Sequence, residues 1–223
     1  MAMILCIETA TKNCSVALFE HGSLLQLKEQ NSVDYSHAEL LTLFIQQVLE
    51  ESKITFQDLD AIAFSKGPGS YTGLRIGTST AKGLCYSLDI PLISISTLKA
   101  MALRISESYE SRLFCPMIDA KRMEVFAGIY DNDNNEIRQI RADIVNEETY
   151  IDYLNKRVLF FGDGAIKCKE AINNKNAKFI EGIYPSAKNI GSLSYQKFLN
   201  KEFEDMAYFT PYYLKDFIVG KKG

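Results

Sequence analysis

Hydrophobic positions in the first thirty residues come in short runs separated by polar turns: Ile4 to Glu8, Cys14 to Phe19 and Leu24 to Lys28, with Lys12-Asn13 and His21-Gly22 between them. Runs of this length broken by turn residues predict a three-strand meander. The spacing then changes. From Asp34 to Ser52, Leu40, Leu41, Phe44, Ile45, Val48 and Leu49 recur on one side of a 3.6-residue period, which predicts a helix. A strand (Ala61 to Ser65), a helix (about Ser70 to Ser87), a strand (Pro91 to Ile95) and a helix (about Thr97 to Ser108) follow. Three meandering strands and then alternating helix and strand predict a mixed sheet flanked by helices.

The order of elements then repeats. Leu113 to Asp119, Glu124 to Tyr130 and Glu136 to Arg141 form a second meander, the last two joined by the polar tip 131–135. A polar helix over Asn146 to Asn155, a strand over Val158 to Phe161 and a further helix opening at Gly162-Asp163-Gly164 are expected after it. Each half opens with a strand that delivers an acid to a turn, Glu8 in one and Asp119 in the other. This duplication predicts an α/β chain of two similar subdomains, 1–108 and 109–223, with the boundary near Ser108 to Ser111. The second half looks trimmed, and its tail, the helix Ser186 to Leu199 and the aromatic run "YFTPYYL", has no counterpart in the first.

Composition narrows the chemistry. The chain has 223 residues, 47% of them hydrophobic, enough for a sizeable core, and a formal net charge of −3, which gives no help in condensing onto RNA, DNA or an anionic membrane. Five cysteines, an odd number and widely spread, fit a reducing cytoplasm better than a disulfide framework. Two histidines, His21 and His37, and no Cys-x-x-Cys pair leave no His-rich metal site. There is no signal-like N-terminus and no apolar stretch long enough to span a bilayer, so a cytoplasmic chain without membrane contact is expected.

The motif "SKGPGSYTGLRIGTSTAKGL" joins a strand to a helix through Gly67-Pro68-Gly69-Ser70. A helix N-terminus there could bind an anion, but the Lys-[Ser/Thr] of a phosphate-binding P-loop is absent at the required spacing. A tight bend capped by Ser70 is the better reading. Within the helix, Gly73, Gly77 and Ala81 line up every four residues. Glycine inside a helix costs about 1 kcal/mol relative to alanine, so close approach of another backbone is expected in return. That neighbour is either the chain's own sheet or first helix, or a helix of another subunit, with Arg75 paired to a partner carboxylate or lying in water. His37, at the start of the first helix, reads as a residue on a partner-facing or solvent-facing surface.

A strand, an acid and a Thr- or Ser-containing turn, used in two lobes, is the arrangement with which actin, the sugar kinases and the ATP-driven chaperones hold phosphates and Mg²⁺. "IETATKNCSVALF" and "IDAKRMEVFAGIY" occupy those places and "FFGDGA" that of a glycine loop. Glu8, Thr9, Asp119, Gly162 and Gly164 are therefore the candidates for weak ATP or ADP binding with Mg²⁺. Glu8 stands where that superfamily favours Asp, and turn capping by Thr9 or Thr11 accounts for the hairpin equally well.

"ILCIETATKNCSVALF", "SKGPGSYTGLRIGTSTAKGL", "STLKAMA", "IDAKRMEVFAGIY" and "PYYL" together resemble the TsaB family, the bacterial accessory subunits in the synthesis of threonylcarbamoyladenosine in tRNA. The resemblance implies two actin-like, ribonuclease-H-like subdomains and a non-catalytic scaffold that docks a catalytic paralogue, TsaD, through its first two helices, joined by the ATPase TsaE. It implies contact with tRNA only through the complex and no firmly bound cofactor; an exposed apolar helical face without its partner tends to find another copy, so a homodimer of the chain alone is a further expectation. His37, Leu41, Phe44, Ile45, Val48, Gly73, Arg75, Gly77 and Ala81 are the implied partner-facing residues. The metal-binding histidines of the catalytic paralogue fall on Thr97 and Met101 here, a hydroxyl and a thioether that make a poor site for iron or zinc. The alternative reading is an ATPase or small-molecule kinase of the same superfamily.

Overall fold

A computed structural model describes residues 2–31 and 37–215. The first lobe is a five-stranded mixed sheet built from β1 (Met3–Glu8), β2 (Asn13–Glu20), β3 (Ser23–Asn31), β4 (Ala61–Ser65) and β5 (Leu92–Ile95) in the order β3-β2-β1-β4-β5. The first three are antiparallel; β1, β4 and β5 run parallel. The helices are α1 (His37–Ser52), α2 (Tyr71–Leu88) and α3 (Thr97–Ser106). The expected start of α1 at Asp34 lies outside the described residues.

The second lobe repeats that order: β6 (Leu113–Asp119), β7 (Glu124–Tyr130), β8 (Glu136–Ile144), β9 (Val158–Phe161) and β10 (Ala177–Ile180) pair as β8-β7-β6-β9-β10. Glu8 faces Ser15 at the end of β1, and Asp119 faces Val125 at the end of β6. This is the expected pair of actin-like subdomains. Five strands survive in the second lobe, so its trimming lies in the helices.

β1 is buried along its whole length because both its faces are covered, which is why it reads as an unbroken apolar run. Leu5 and Ile7 meet the α1 stripe and the Ala81 and Cys85 positions of α2, while Ile4 and Cys6 on the other face meet Ala100 of α3, Ala187 and Ile190. α3 is shared. Its Leu98, Met101, Ala102 and Ile105 pack onto Phe114, Ile118, Phe126 and Phe161 of the second sheet. All five cysteines are buried thiols.

Three expectations fail in the second half of the chain. In place of a helix over Asn146 to Asn155 there is only a 3₁₀ turn at Ile151–Tyr153. The Asn146 side chain accepts the Glu148 amide (3.0 Å) and the Thr149 hydroxyl (2.8 Å), and that hydroxyl accepts the Asn146 amide (2.9 Å), a local network that competes with helical bonding. After Gly162 the chain likewise makes only a short 3₁₀ turn, Ile166–Cys168, and β10 is an element the sequence pattern does not predict. The tail helix α4 (Gly191–Leu199) begins five residues later than Ser186.

The assignment of 109–223 to the second subdomain also needs correction. From Pro185 onward the chain returns to the first lobe: the Asn13 side chain donates to the Pro185 carbonyl (2.8 Å), and the Ala187 amide donates to Ser15 Oγ (2.8 Å). Leu193 and Phe198 of α4 pack on the first sheet. Residues 200–215 then form an extended strap. Its Glu204 amide donates to the Leu92 carbonyl (2.9 Å), its Phe209 carbonyl accepts Lys82 Nζ (2.8 Å), its Tyr212 amide donates to the Lys66 carbonyl (2.8 Å), and Lys215 pairs with Glu124 of the second lobe.

Candidate functional site

The two strand-end acids adopt opposite environments. Glu8 is 1% exposed, and Oε1 accepts the Ala10 amide at 2.6 Å. Burial raises its pKa to about 7, against the opposing effects of the Ala10 amide, the Ser65 hydroxyl and the Thr9 amide. Ser65 in turn shares a hydrogen bond with the Thr97 hydroxyl at the start of α3. The acid thus points into a closed cluster.

What closes it is the small-residue line of α2. Thr9 Oγ1 donates to the Gly73 carbonyl (2.8 Å); a Cβ at Gly73 would overlap the Thr9 carbonyl oxygen, and one at Gly77 would overlap Thr9 Oγ1. The close approach that the glycines predict is therefore made to the chain's own first hairpin, and Gly73, Gly77 and Ala81 are buried. His37 corrects another expectation: it is buried, and its Nε2 donates to the Thr11 carbonyl at 2.7 Å, which fixes the proton on that nitrogen. Desolvation lowers its pKa, partly offset by that bond.

The stripe Leu41, Phe44, Ile45, Val48 and Leu49 lies in the first core rather than on a docking face, because the sheet beneath is wide enough to take all of it. Of the residues expected to meet a partner, Arg75 alone is exposed, its guanidinium 4.3 Å from the Tyr71 ring centroid. The outer sides of these helices carry Leu43, 45% exposed, and Tyr86, 81% exposed. Ser70 caps α2 as expected, accepting the Gly73 amide at 3.3 Å. The Ser70 amide itself donates to the Ala10 carbonyl (2.7 Å), so the glycine turn grips the hairpin.

In the second lobe Asp119 is half-buried. Its Oδ1 accepts the Lys121 amide (2.9 Å) and pairs with Lys167, whose Nζ also donates to the Glu124 carbonyl (2.7 Å). Burial works against ionisation, yet Lys167 and the Lys121 amide hold the carboxyl below its ordinary range. The Asp119 amide donates to Asp163 Oδ1 (3.1 Å), and burial pushes the Asp163 carboxyl up. Gly162 has φ +108° and no room for a Cβ against the Met117 carbonyl; a Cβ at Gly164 would stand 2.9 Å from the Asp119 amide nitrogen. The Gly164 amide donates back to the Met117 carbonyl (3.1 Å). The five nucleotide candidates thus fall into two sets, Glu8 with Thr9 and Asp119 with Gly162 and Gly164, each engaged by the chain's own groups.

Thr97 is buried against Ser65, and Met101 is packed between the sheets. Among the described residues no group of three or more His, Cys, Asp or Glu could hold a metal ion. Ser65 and Lys167 were missed by sequence reasoning: Ser65 is hidden in an apolar strand, and Lys167 lies 48 residues from Asp119. No helix of the described residues is long and apolar enough to cross a membrane.

Comparison with protein families matches residues 31–219 to the family described as TsaD, tRNA N6-adenosine threonylcarbamoyltransferase. The tRNA threonylcarbamoyladenosine biosynthesis protein TsaB of Buchnera aphidicola subsp. Schizaphis graminum is 33% identical over 193 residues, covering 84% of this chain and 90% of that protein. The Escherichia coli protein of the same name is 28% identical over 228 residues, covering 98% and 97%. Among solved structures, YeaZ from Pseudomonas aeruginosa superimposes with a TM-score of 0.85 at 25% identity, covering 96% of this chain and all of that one.

Proposed function

The chain belongs to the TsaB family of tRNA threonylcarbamoyladenosine biosynthesis proteins, and from that premise we propose that it acts as a non-catalytic scaffold in the complex that transfers the threonylcarbamoyl group to tRNA. The observation that carries this reading is the engagement of both strand-end acids by the chain itself. Glu8 is sealed under Ala10 and Ser65, and the Asp119 carboxylate is already paired with the Lys167 ammonium. A cation site that already holds an ammonium repels a divalent ion.

The docking partner in this reading is a TsaD-type catalytic subunit, with a TsaE-type ATPase joining the assembly in the cytoplasm and tRNA met through the complex. Since the inner stripe of α1 is spent on the core, docking uses the outer sides of α1 and α2, around Leu43, Arg75 and Tyr86. Exposed large side chains on neighbouring helices suit a helix-on-helix interface, and without the partner they suit pairing with a second copy. Leu43→Asp combined with Tyr86→Asp is expected to abolish co-elution with the TsaD-type subunit in gel filtration while leaving the melting temperature within a few degrees of wild type. Co-elution at full strength would refute the docking face. Turnover of ATP by the isolated chain, lost in Asp119→Asn, would instead favour the kinase or ATPase alternative.

A further inference from the structure

A cavity of about 400 Å³ lies where the two lobes and the strap meet, lined by Lys66, Ser96, Lys99, Glu136, Gln139, Ile140 and Tyr212. Its volume falls in the range of small-molecule sites. Lys66 follows β4, Ser96 and Lys99 open α3, and Glu136 to Ile140 belong to β8, so both lobes build it. Tyr212 is fixed at its edge through the Lys66 carbonyl.

The charges here do not balance. Neither the Lys66 nor the Lys99 ammonium makes a hydrogen bond or ion pair among the described residues. Lys66 is half-buried; burial and then Lys197 press its pKa down, and Glu204 only partly opposes them. Glu204 is itself shared, accepting the Ser94 hydroxyl and lying 3.9 Å from Lys197 Nζ. Among the residues that line the cavity, Lys66 and Lys99 face a single carboxylate, Glu136. Holding a half-buried ammonium without a counter-charge costs stability.

The cavity floor is packed by Tyr130, which lies behind the lining residues Ser96 and Glu136. Tyr130 is fully buried, and its ring folds back over Gly128, where a Cβ would stand 3.2 Å from Ile140 and 3.3 Å from the Tyr130 hydroxyl. Its hydroxyl is buried behind the cavity wall, against the side chains of Ser96 and Glu136.

We propose that this inter-lobe cavity is a binding site for a small oxyanion, a carboxylate or phosphate, held by Lys66 and Lys99. None of the nucleotide candidates at the two hairpins contributes to it, and it does not depend on the scaffold reading. Glu136 acts against the anion, so the site is selective for ligands that keep their charge on the lysine side.

The test is titration calorimetry of the full chain at low salt with inorganic phosphate and, separately, with malonate. Heat with phosphate alone identifies a phosphate site, heat with malonate alone a carboxylate site, and heat with both a general oxyanion site. Lys66→Gln and Lys99→Gln should each weaken binding about tenfold, the size of one lost charge-assisted hydrogen bond. Glu136→Gln should tighten it. The proposal is overturned if neither anion binds at millimolar concentration, if Lys66→Gln binds as wild type does, or if Glu136→Gln binds more weakly.

Discussion

The two lobes share one strand order and place an acid at the same point of it, yet one acid is sealed inside and the other stands half in water. What separates them is the layer above the hairpin. In the first lobe α1 and α2 are full helices, and the glycine line of α2 lets Thr9 and the β1–β2 turn come into backbone contact with it. In the second lobe the covering layer is reduced to short 3₁₀ turns, so the β6–β7 turn stays open and Asp119 takes a lysine as its neighbour. The same topology yields a raised pKa in one place and a lowered one in the other. Local cover, more than strand order, sets the chemistry of a strand-end acid.

Substitutions that force the cover off should have the largest effect. Gly73→Ala places a methyl group into the Thr9 carbonyl, and Gly162→Ala does the same against Met117 while holding alanine at φ +108°. Each should cost about 3 kcal/mol or more in urea denaturation, at the upper end of overpacking effects. The lobes share α3, and α4 with the strap ties the tail to the first sheet, so both variants should lower one common transition. Two resolved transitions in calorimetry for Gly162→Ala would show that the lobes unfold independently.

Next in size is Glu8→Gln. The folded pKa of Glu8, about 7, lies above its ordinary 4.5. Its contribution to stability is therefore fully present below pH 4.5 and is lost as pH rises through about 7. The difference corresponds to on the order of 3 kcal/mol. The glutamine amide keeps an oxygen for the Ala10 N–H and carries no charge, so the variant should match wild type near pH 4.5 and exceed it at pH 8. His37 works the other way: its lowered pKa supplies stability above its ordinary 6.5 that is lost as pH falls. Comparing the two chains at each pH cancels the histidine. Equal urea midpoints at pH 8 would mean that Glu8 is hydrated in solution.

β1, β4, β5 and β9 could be read from the sequence because burial along their whole length leaves continuous apolar runs, and α1 and α2 because their period and the Ser70 cap are local signals. β10, with the short sequence Ala-Lys-Phe-Ile in a polar stretch, carries no such signal, and the helix expected at 146–155 is undone by the Asn146 and Thr149 side chains. At the site, the placing of Glu8 and Asp119 at strand ends was legible. Their surroundings were not. The Thr9 hydroxyl meets Gly73 across 64 residues, and the α1 stripe could not be assigned to core or partner until the width of the sheet beneath it was known.

The smallest effect expected is that of Lys167→Met, which tests whether the second lobe's acid depends on its lysine as the first lobe's depends on its cover. Asp119 is about a third exposed, so the pair with Lys167 is partly screened and should contribute about 0.5 to 1 kcal/mol at pH 7. The folded pKa of Asp119 lies below its ordinary 3.8, so this contribution is present above that pH and is lost as pH falls through the folded value. The variant should therefore be slightly less stable than wild type at neutral pH and draw level in strong acid. A deficit that persists unchanged at low pH would trace the loss to the lysine stem and its bond to the Glu124 carbonyl. In that case the Lys121 amide, a bond of the turn itself, is what holds the Asp119 carboxyl ionised, and the open lobe orders its acid by backbone geometry just as the covered lobe does through Ala10.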